Sequence, residues 1–236
     1  MNGPGIVVAM VSEAKTLTKA PWMPGELIHL PEGGIVNIAG IGARRAEGAA
    51  RALLAHGVTG LVSWGTAGGL VSGLSPGSLL LPKSILRPDR SLYGVDQTWH
   101  HRLWSQLQES VTLHEGVLGE SPRVLMTPQD KELFSSQTGA VAVDMESGAI
   151  AAVASEAKVP FVAIRAISDA FDSVLPFTAL KSFDKFGRLD KVGLVRELTR
   201  HPQDIPRWLK LIWELRSARK TLTLVAPLIK SPLEAG

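Results

Sequence analysis

The 236-residue chain contains no cysteine. Disulfides and thiolate metal sites are therefore excluded, and the usage suits a reducing cytosol, so a cytoplasmic protein is expected. No apolar run approaches the roughly 18 residues that span a bilayer. The first residues, MNGPGIVVAM, lack the basic region and cleavage site of a secretory signal. Internal repeats and low-complexity tracts are also missing. The adjacent His100 and His101 point in different directions on a helix, which is not metal-ligand spacing, and read as surface histidines. Neither a metal nor an organic cofactor is expected, and no nucleic-acid partner.

What is present is apolar content of 45 %, enough for the core of one domain. Strand patterns alternate with helix patterns, which predicts an α/β fold: a central mixed, largely parallel sheet flanked by helices. Ile6–Met10 reads as a first strand, with Ser12 as N-cap of the segment starting at Glu13. Glu26–Leu30 and Gly34–Ala39 read as a hairpin. GIGARRAEGAARALLAHG opens a helix through a glycine turn and closes it at Gly57. Gly60–Trp64 is a buried strand running into Gly65-Thr66-Ala67-Gly68-Gly69, a loop whose backbone lets a ligand approach closely. Ser78–Ile85, Val111–Leu118 and Arg123–Met126 are further strands, and Arg90–His101 reads as loop leading into a short helix.

The chain is organised around Ala140–Asp172, AVAVDMESGAIAAVASEAKVPFVAIRAISDAFD. Ala140–Val143 is a strand, Glu146–Glu156 an alanine-rich helix, and Phe161–Ile167 a second strand. Carboxylates mark the junctions: Asp144 and Glu146 after the first strand, Asp169 after the second. The carboxyl ends of parallel strands are where ligands bind, and paired acids there are candidates for acid/base chemistry. For Asp144, helix capping is the plainer reading. Glu146 and Asp169 lie in apolar runs, where a carboxylate without a partner is costly. Arg44 and Arg45 stand near a helix start, a place that favours anions, although arginines mostly sit on solvated faces.

VVAMVSEAKTL near the N-terminus, SWGTAGGL at the end of a middle strand, DMES before a small-residue helix and AIRAISDAFD, in this order along the chain, resemble the purine nucleoside phosphorylase and methylthioadenosine nucleosidase superfamily. The resemblance covers roughly residues 5–172. It implies cleavage of a purine N-glycosidic bond, with Asp169 protonating N7 of the leaving base, Glu146 holding the ribose hydroxyls and Glu13 activating the attacking water. It also implies nucleoside contacts from Thr66, Ala67, Gly68 and Ser168, base contacts from Leu125 and Met126, and a sugar contact from Met145. Arg165 reads as a structural partner of the carboxylates. Phosphate is a candidate co-substrate through Arg44, Arg45 and Thr66, yet MVSEAK lacks the arginine of the phosphorylases' phosphate loop and is more similar to the hydrolases.

Residues 181–236 form a basic extension beside a nucleosidase-like domain at 1–180. The extension carries twelve Lys/Arg against six Asp/Glu, a surplus of +6 in a chain of net +3. Ile205–Leu215 is a helix candidate with Asp204 as N-cap, and its Ile205, Trp208, Leu209, Leu211, Ile212, Trp213 and Leu215 fall on one arc opposite Arg207, Lys210 and Glu214. Such a helix packs on its own domain, on a sister subunit, or on an anionic membrane surface. With this extension the chain resembles the hopanoid-associated phosphorylase branch, which implies release of adenine from adenosylhopane, phosphorolysis over hydrolysis, and a peripheral position on the cytoplasmic membrane. The alternatives are a soluble nucleosidase for methylthioadenosine, adenosylhomocysteine or futalosine, and a non-catalytic nucleoside or lipid binder. A homo-oligomer is expected.

Overall fold

The computed structural model describes residues 3–229, apart from Trp22, Pro24 and Glu32, together with Leu233. In chain order the elements are β1 (Gly5–Val8), α1 (Val11–Leu17), β2 (Leu27–His29), β3 (Ile35–Ile38), α2 (Ala43–Ala55), β4 (Leu61–Gly69), β5 (Leu79–Leu80), β6 (Ser84–Leu86), β7 (Leu92–Gly94), α3 (Gln97–Leu107), β8 (Leu113–His114), β9 (Val117–Glu120), α4 (Pro128–Thr138), β10 (Ala142–Asp144), α5 (Ser147–Ala157), β11 (Phe161–Asp169), α6 (Ala179–Ser182), α7 (Lys191–Arg200) and α8 (Ile205–Val225).

One mixed sheet of eleven strands holds the molecule together. Its centre is β4, which runs parallel to β1 on one side and to β11 on the other. At its far end β4 meets β10 antiparallel, through Gly69 and Gly68, and so joins the β9–β6–β7 half of the sheet. Every residue of β1 and β11 is buried, as expected of parallel strands covered on both faces. Gly148, Ala149, Ala151 and Ala154 of α5 are buried as well, and their small size lets α5 lie close against α2 and the sheet.

Several predicted elements move. The N-cap position of α1 is Met10 and Ser12 lies inside the helix, because the Glu13 carboxylate reaches back to the Met10 N–H. Ser78–Ile85 is two strands, β5 and β6, separated by Leu81-Pro82-Lys83, where Pro82 has no N–H for a ladder. Val111–Leu118 likewise divides into β8 and β9 around the positive-φ Gly116. Arg90–His101 is not mainly loop: it contains β7 and the first half of α3, which is capped by the Asp96 side chain on the Trp99 N–H. His100 is buried with Nε2 3.1 Å from the Leu81 carbonyl, so only His101 is a surface histidine. Arg123–Met126 forms no strand, although Leu125 is buried beside Leu70, Ala140 and Val143.

The extension folds onto the domain. Helix α8 continues to Val225, well past Leu215, and packs on β11 and α1. The single apolar arc splits in two. Trp208 and Leu211 join Ala218, Leu222 and Val225 against the core, whereas Ile205, Leu209 and Trp213 face outward. Glu214, expected on the polar face, is buried. Ahead of α8, the Asp184–Gly187 turn straps the ends of β1 and β3, where Val11 N–H bonds the Phe186 carbonyl and Ile41 N–H the Lys185 carbonyl.

Candidate active site

The carboxyl ends of β1, β10 and β11 converge around the end of β4, and each delivers an acid. The first is Glu13, one turn into α1. Its Oε2 accepts the Met10 N–H at 3.0 Å; its Oε1 accepts the Thr66 N–H at 2.8 Å and the Thr66 hydroxyl at 3.1 Å. Burial pushes the carboxyl above the usual range, while the Arg165 charge and these hydrogen bonds pull it back. The approach requires Gly65, since a Cβ there would lie 2.5 Å from Glu13 Oε1 and 3.0 Å from Arg165 Nη1.

The second acid, Glu146, is held at the mouth of α2: its Oε1 accepts the Gly42 N–H at 2.7 Å. Burial raises its pKa to about 8, with a further push from the Asp144 charge. Both effects favour the protonated carboxyl. Asp144 takes a structural position. It accepts the Ser147 N–H at the start of α5 and pairs with Arg165, whose Nε lies 2.8 Å from Oδ2. Arg165 Nη2 also donates to Ser63 and Ser147 hydroxyls at 2.6 and 2.9 Å. The whole Asp144–Arg165–Ser147–Ser63 group is buried, so each member needs the others to satisfy it.

Asp169 sits at a bulge where the β11–β4 register slips after Ile167. Its Oδ1 lies 2.6 Å from the Ser168 hydroxyl, which is also 3.1 Å from the Ala67 carbonyl. Its Oδ2 lies 2.5 Å from Lys131 Nζ. Ser168 and Asp169 thus come to the same β4 end as Ala67 and Gly68. Met145 is half-buried between Asp144 and Glu146, and the Met126 carbonyl accepts the Leu175 N–H at 2.9 Å. Arg44 and Arg45 are exposed on the first turn of α2, next to the Gly42 that holds Glu146, and Arg45 Nη1 donates to the Ile41 carbonyl. Two cavities, of about 520 Å³ between β7 and α5 and about 430 Å³ beside α1, lie elsewhere; neither is lined by Glu13, Glu146 or Asp169.

Lys131, Ser63, Ser147, Gly42 and Glu214 were not legible as site neighbours. Lys131 stands in the strongly polar helix PQDKELFSSQT, which reads as solvated on every face. Among the described residues no cluster of His, Asp and Glu could hold a metal ion.

Residues 5–189 match the family model described as the phosphorylase superfamily. Among curated proteins, the aminodeoxyfutalosine nucleosidase of Helicobacter pylori strain J99 is 28 % identical over 151 residues, 57 % of this chain and 64 % of the relative. The match thus spans just under two thirds of that relative's length. Among solved structures, the 5'-methylthioadenosine/S-adenosyl homocysteine nucleosidase of Helicobacter pylori superposes with a TM-score of 0.71 at 20 % identity, over 98 % of this chain and 97 % of its own. The Neisseria meningitidis nucleosidase of the same description, in complex with methylthio-immucillin-A, gives 0.70 at 20 % identity over 98 % and 100 %. The futalosine hydrolase of Helicobacter pylori strain 26695 gives 0.67 at 22 % over 95 % and 97 %. At these identities the likeness is one of fold.

Proposed function

We propose, from the premise that this chain belongs to the phosphorylase superfamily, that it cleaves the N-glycosidic bond of a purine nucleoside. The observation that carries this reading is the convergence of three buried acids, Glu13, Glu146 and Asp169, on the end of β4. Breaking the bond leaves cationic character on the ribosyl carbon and a pair of electrons on the base. Asp169 delivers a proton to the base, Glu146 holds the ribose hydroxyls, and Glu13 takes a proton from the attacking nucleophile. Met145 packs on the sugar; Leu125 and Met126 lie along the base. The names of the relatives favour an adenine-bearing nucleoside substituted at the 5′ carbon.

Water is the nucleophile that the geometry supports best. The Thr66 N–H and hydroxyl, which would suit a phosphate oxygen, are engaged by the Glu13 carboxylate. A phosphate dianion there would meet like charge and lose both donors. Arg44 and Arg45, the residues assigned to phosphate, are exposed on α2. Phosphorolysis therefore needs either a displaced Glu13 or a site nearer those arginines.

A specific observation keeps a lipid-linked adenosine such as adenosylhopane as a second reading. Leu209 and Trp213 are 65 % and 62 % exposed and share one outward stripe of α8 with Ile205. Arg207, Lys210 and Arg216 flank that stripe. An exposed tryptophan beside cations suits the headgroup region of an anionic bilayer. No helix among the described residues is long and apolar enough to cross a membrane.

One assay separates these readings: adenine release from adenosine, methylthioadenosine, aminodeoxyfutalosine and adenosylhopane, each with and without phosphate. Free ribosyl product in phosphate-free buffer supports hydrolysis, and a strict need for phosphate overturns it. Turnover of adenosylhopane alone, with co-sedimentation on anionic vesicles that a Leu209→Ser/Trp213→Ser protein loses, selects the lipid reading.

A further inference from the structure

The roles assigned so far leave the buried ammonium of Lys131 without one. Lys131 projects from α4, is 1 % exposed, and places Nζ 2.5 Å from Asp169 Oδ2 and 2.5 Å from the Ala170 carbonyl. Two elements bring charge to it: Asp169 from β11 and Glu214 from α8, both of which interact electrostatically with it or with its pair. Glu214 is itself 2 % exposed, accepts the Ser173 hydroxyl at 2.7 Å, and has Lys210 Nζ 3.7 Å away. A lysine buried this deeply is costly unless paired. A clamp on the chain after β11 would explain the Ala170 contact. It does not explain why the lysine is set on the acid of the reaction. A carboxyl that gives its proton to a departing purine must be given another, and the Lys131 ammonium is a proton donor in direct contact with Asp169 Oδ2.

We propose that Lys131 supplies that proton, acting through Asp169 as a positioning and proton-supplying residue. The inference rests on the N-glycosidase reading. As the bond between C1′ and N9 breaks, its electron pair moves into the purine. The purine N7 takes a proton from Asp169, and Lys131 Nζ passes one of its protons to Asp169 Oδ2. Asp169 ends as it began, a carboxylate, and Lys131 is left as a neutral amine. Water adds to C1′ and loses its proton to Glu13. Once the base has left, solvent reprotonates Lys131 and takes the proton from Glu13, so both groups return to their starting states. Glu214, whose carboxyl is pushed up by burial, lies within electrostatic reach of both Lys131 and Asp169 and so ties α8 to the acid of the site.

Arginine distinguishes proton supply from clamping, because guanidinium keeps the charge and the hydrogen bonds but does not give up its proton. The test measures kcat and KM for methylthioadenosine between pH 5 and pH 10 in the full-length wild type, Lys131→Arg and Lys131→Met. The affinity for 9-deazaadenine, which carries its own N7–H, is measured beside them as a check on an intact site. Both variants are expected to lose about 10²-fold in kcat at pH 8, the lower end of a general-acid contribution, with KM within about threefold of wild type. Lys131→Met should lose its remaining activity at a lower pH than wild type, because a proton drawn from solvent replaces the one that Lys131 supplied. Lys131→Arg should still bind 9-deazaadenine. If Lys131→Arg restores wild-type kcat, or if the loss in Lys131→Met is the same at every pH, Lys131 is a clamp and the proposal fails. Should Lys131→Arg lose 9-deazaadenine, the pH limb of Lys131→Met decides alone. An active wild type with either contrary result overturns the Lys131 proposal only; a wild type that binds 9-deazaadenine but releases no adenine overturns the N-glycosidase reading and this proposal with it.

Discussion

Replacing Glu146 by Gln changes one atom and removes one titration. In the folded chain Glu146 is buried against the α2 mouth with a pKa of about 8, raised first by burial and then by the Asp144 charge. In the unfolded chain it ionises at about 4.3. Between those two values the folded protein keeps the proton and the unfolded chain has lost it. The unfolded state then binds fewer protons, so stability declines as pH rises through this window. At about 1.36 kcal/mol per pKa unit, the rise from about 4.3 to about 8 is a decline of up to about 5 kcal/mol by pH 9. Gln keeps the acceptor for the Gly42 N–H and has no charge to bury. The variant should therefore match wild type at pH 5 and unfold later at pH 9. A chain of this length gains about 2–4 °C per kcal/mol, so a gain of up to about 10–20 °C at pH 9 is expected by calorimetry. Activity should fall as well, since Gln sets an amide NH2 donor where the carboxyl offers a second oxygen to the ribose hydroxyls. A difference in unfolding temperature that is the same at pH 5 and pH 9, or a wild type that is the more stable at pH 9, would refute the burial argument.

Asp169→Asn keeps the shape but carries no proton, and adenine release should drop about 10²–10⁴-fold with the unfolding temperature little changed. Arg165→Met leaves Asp144 charged, buried and unpaired, a loss of about 3–5 kcal/mol that urea unfolding will measure. In Gly65→Ala the new Cβ falls 2.5 Å from Glu13 Oε1; Glu13 must move, and turnover should fall more than about tenfold while nucleoside affinity changes less, as befits the group that activates the nucleophile.

The strand–helix–strand core at 140–172 was readable because each of its elements is decided locally. Phe161–Ile167 is apolar except for Arg165, as suits a strand buried on both faces, and it is the body of β11. The small residues of α5 and the Lys158-Val159-Pro160 break likewise act over a few positions. That Glu13, Glu146 and Asp169 each follow a strand came from the same pattern; Glu13 and Asp169 share an edge because β1 and β11 run parallel to β4, whereas Glu146 joins them because β10 turns back antiparallel onto the end of β4. Distance along the chain hid the rest. Lys131 and Asp169 are 38 residues apart, and nothing around Lys131 distinguishes it from a solvated lysine. Only the packing of α4 over the end of β11 gives it a partner. The same holds for α8. Its apolar residues showed a helix with a buried face, but which face was inside depended on the shape of β11 and α1 beneath it, and that choice buried Glu214 and left Trp213 outside. Periodicity records that a side chain must be covered; what covers it is set by elements that meet only once the chain has folded.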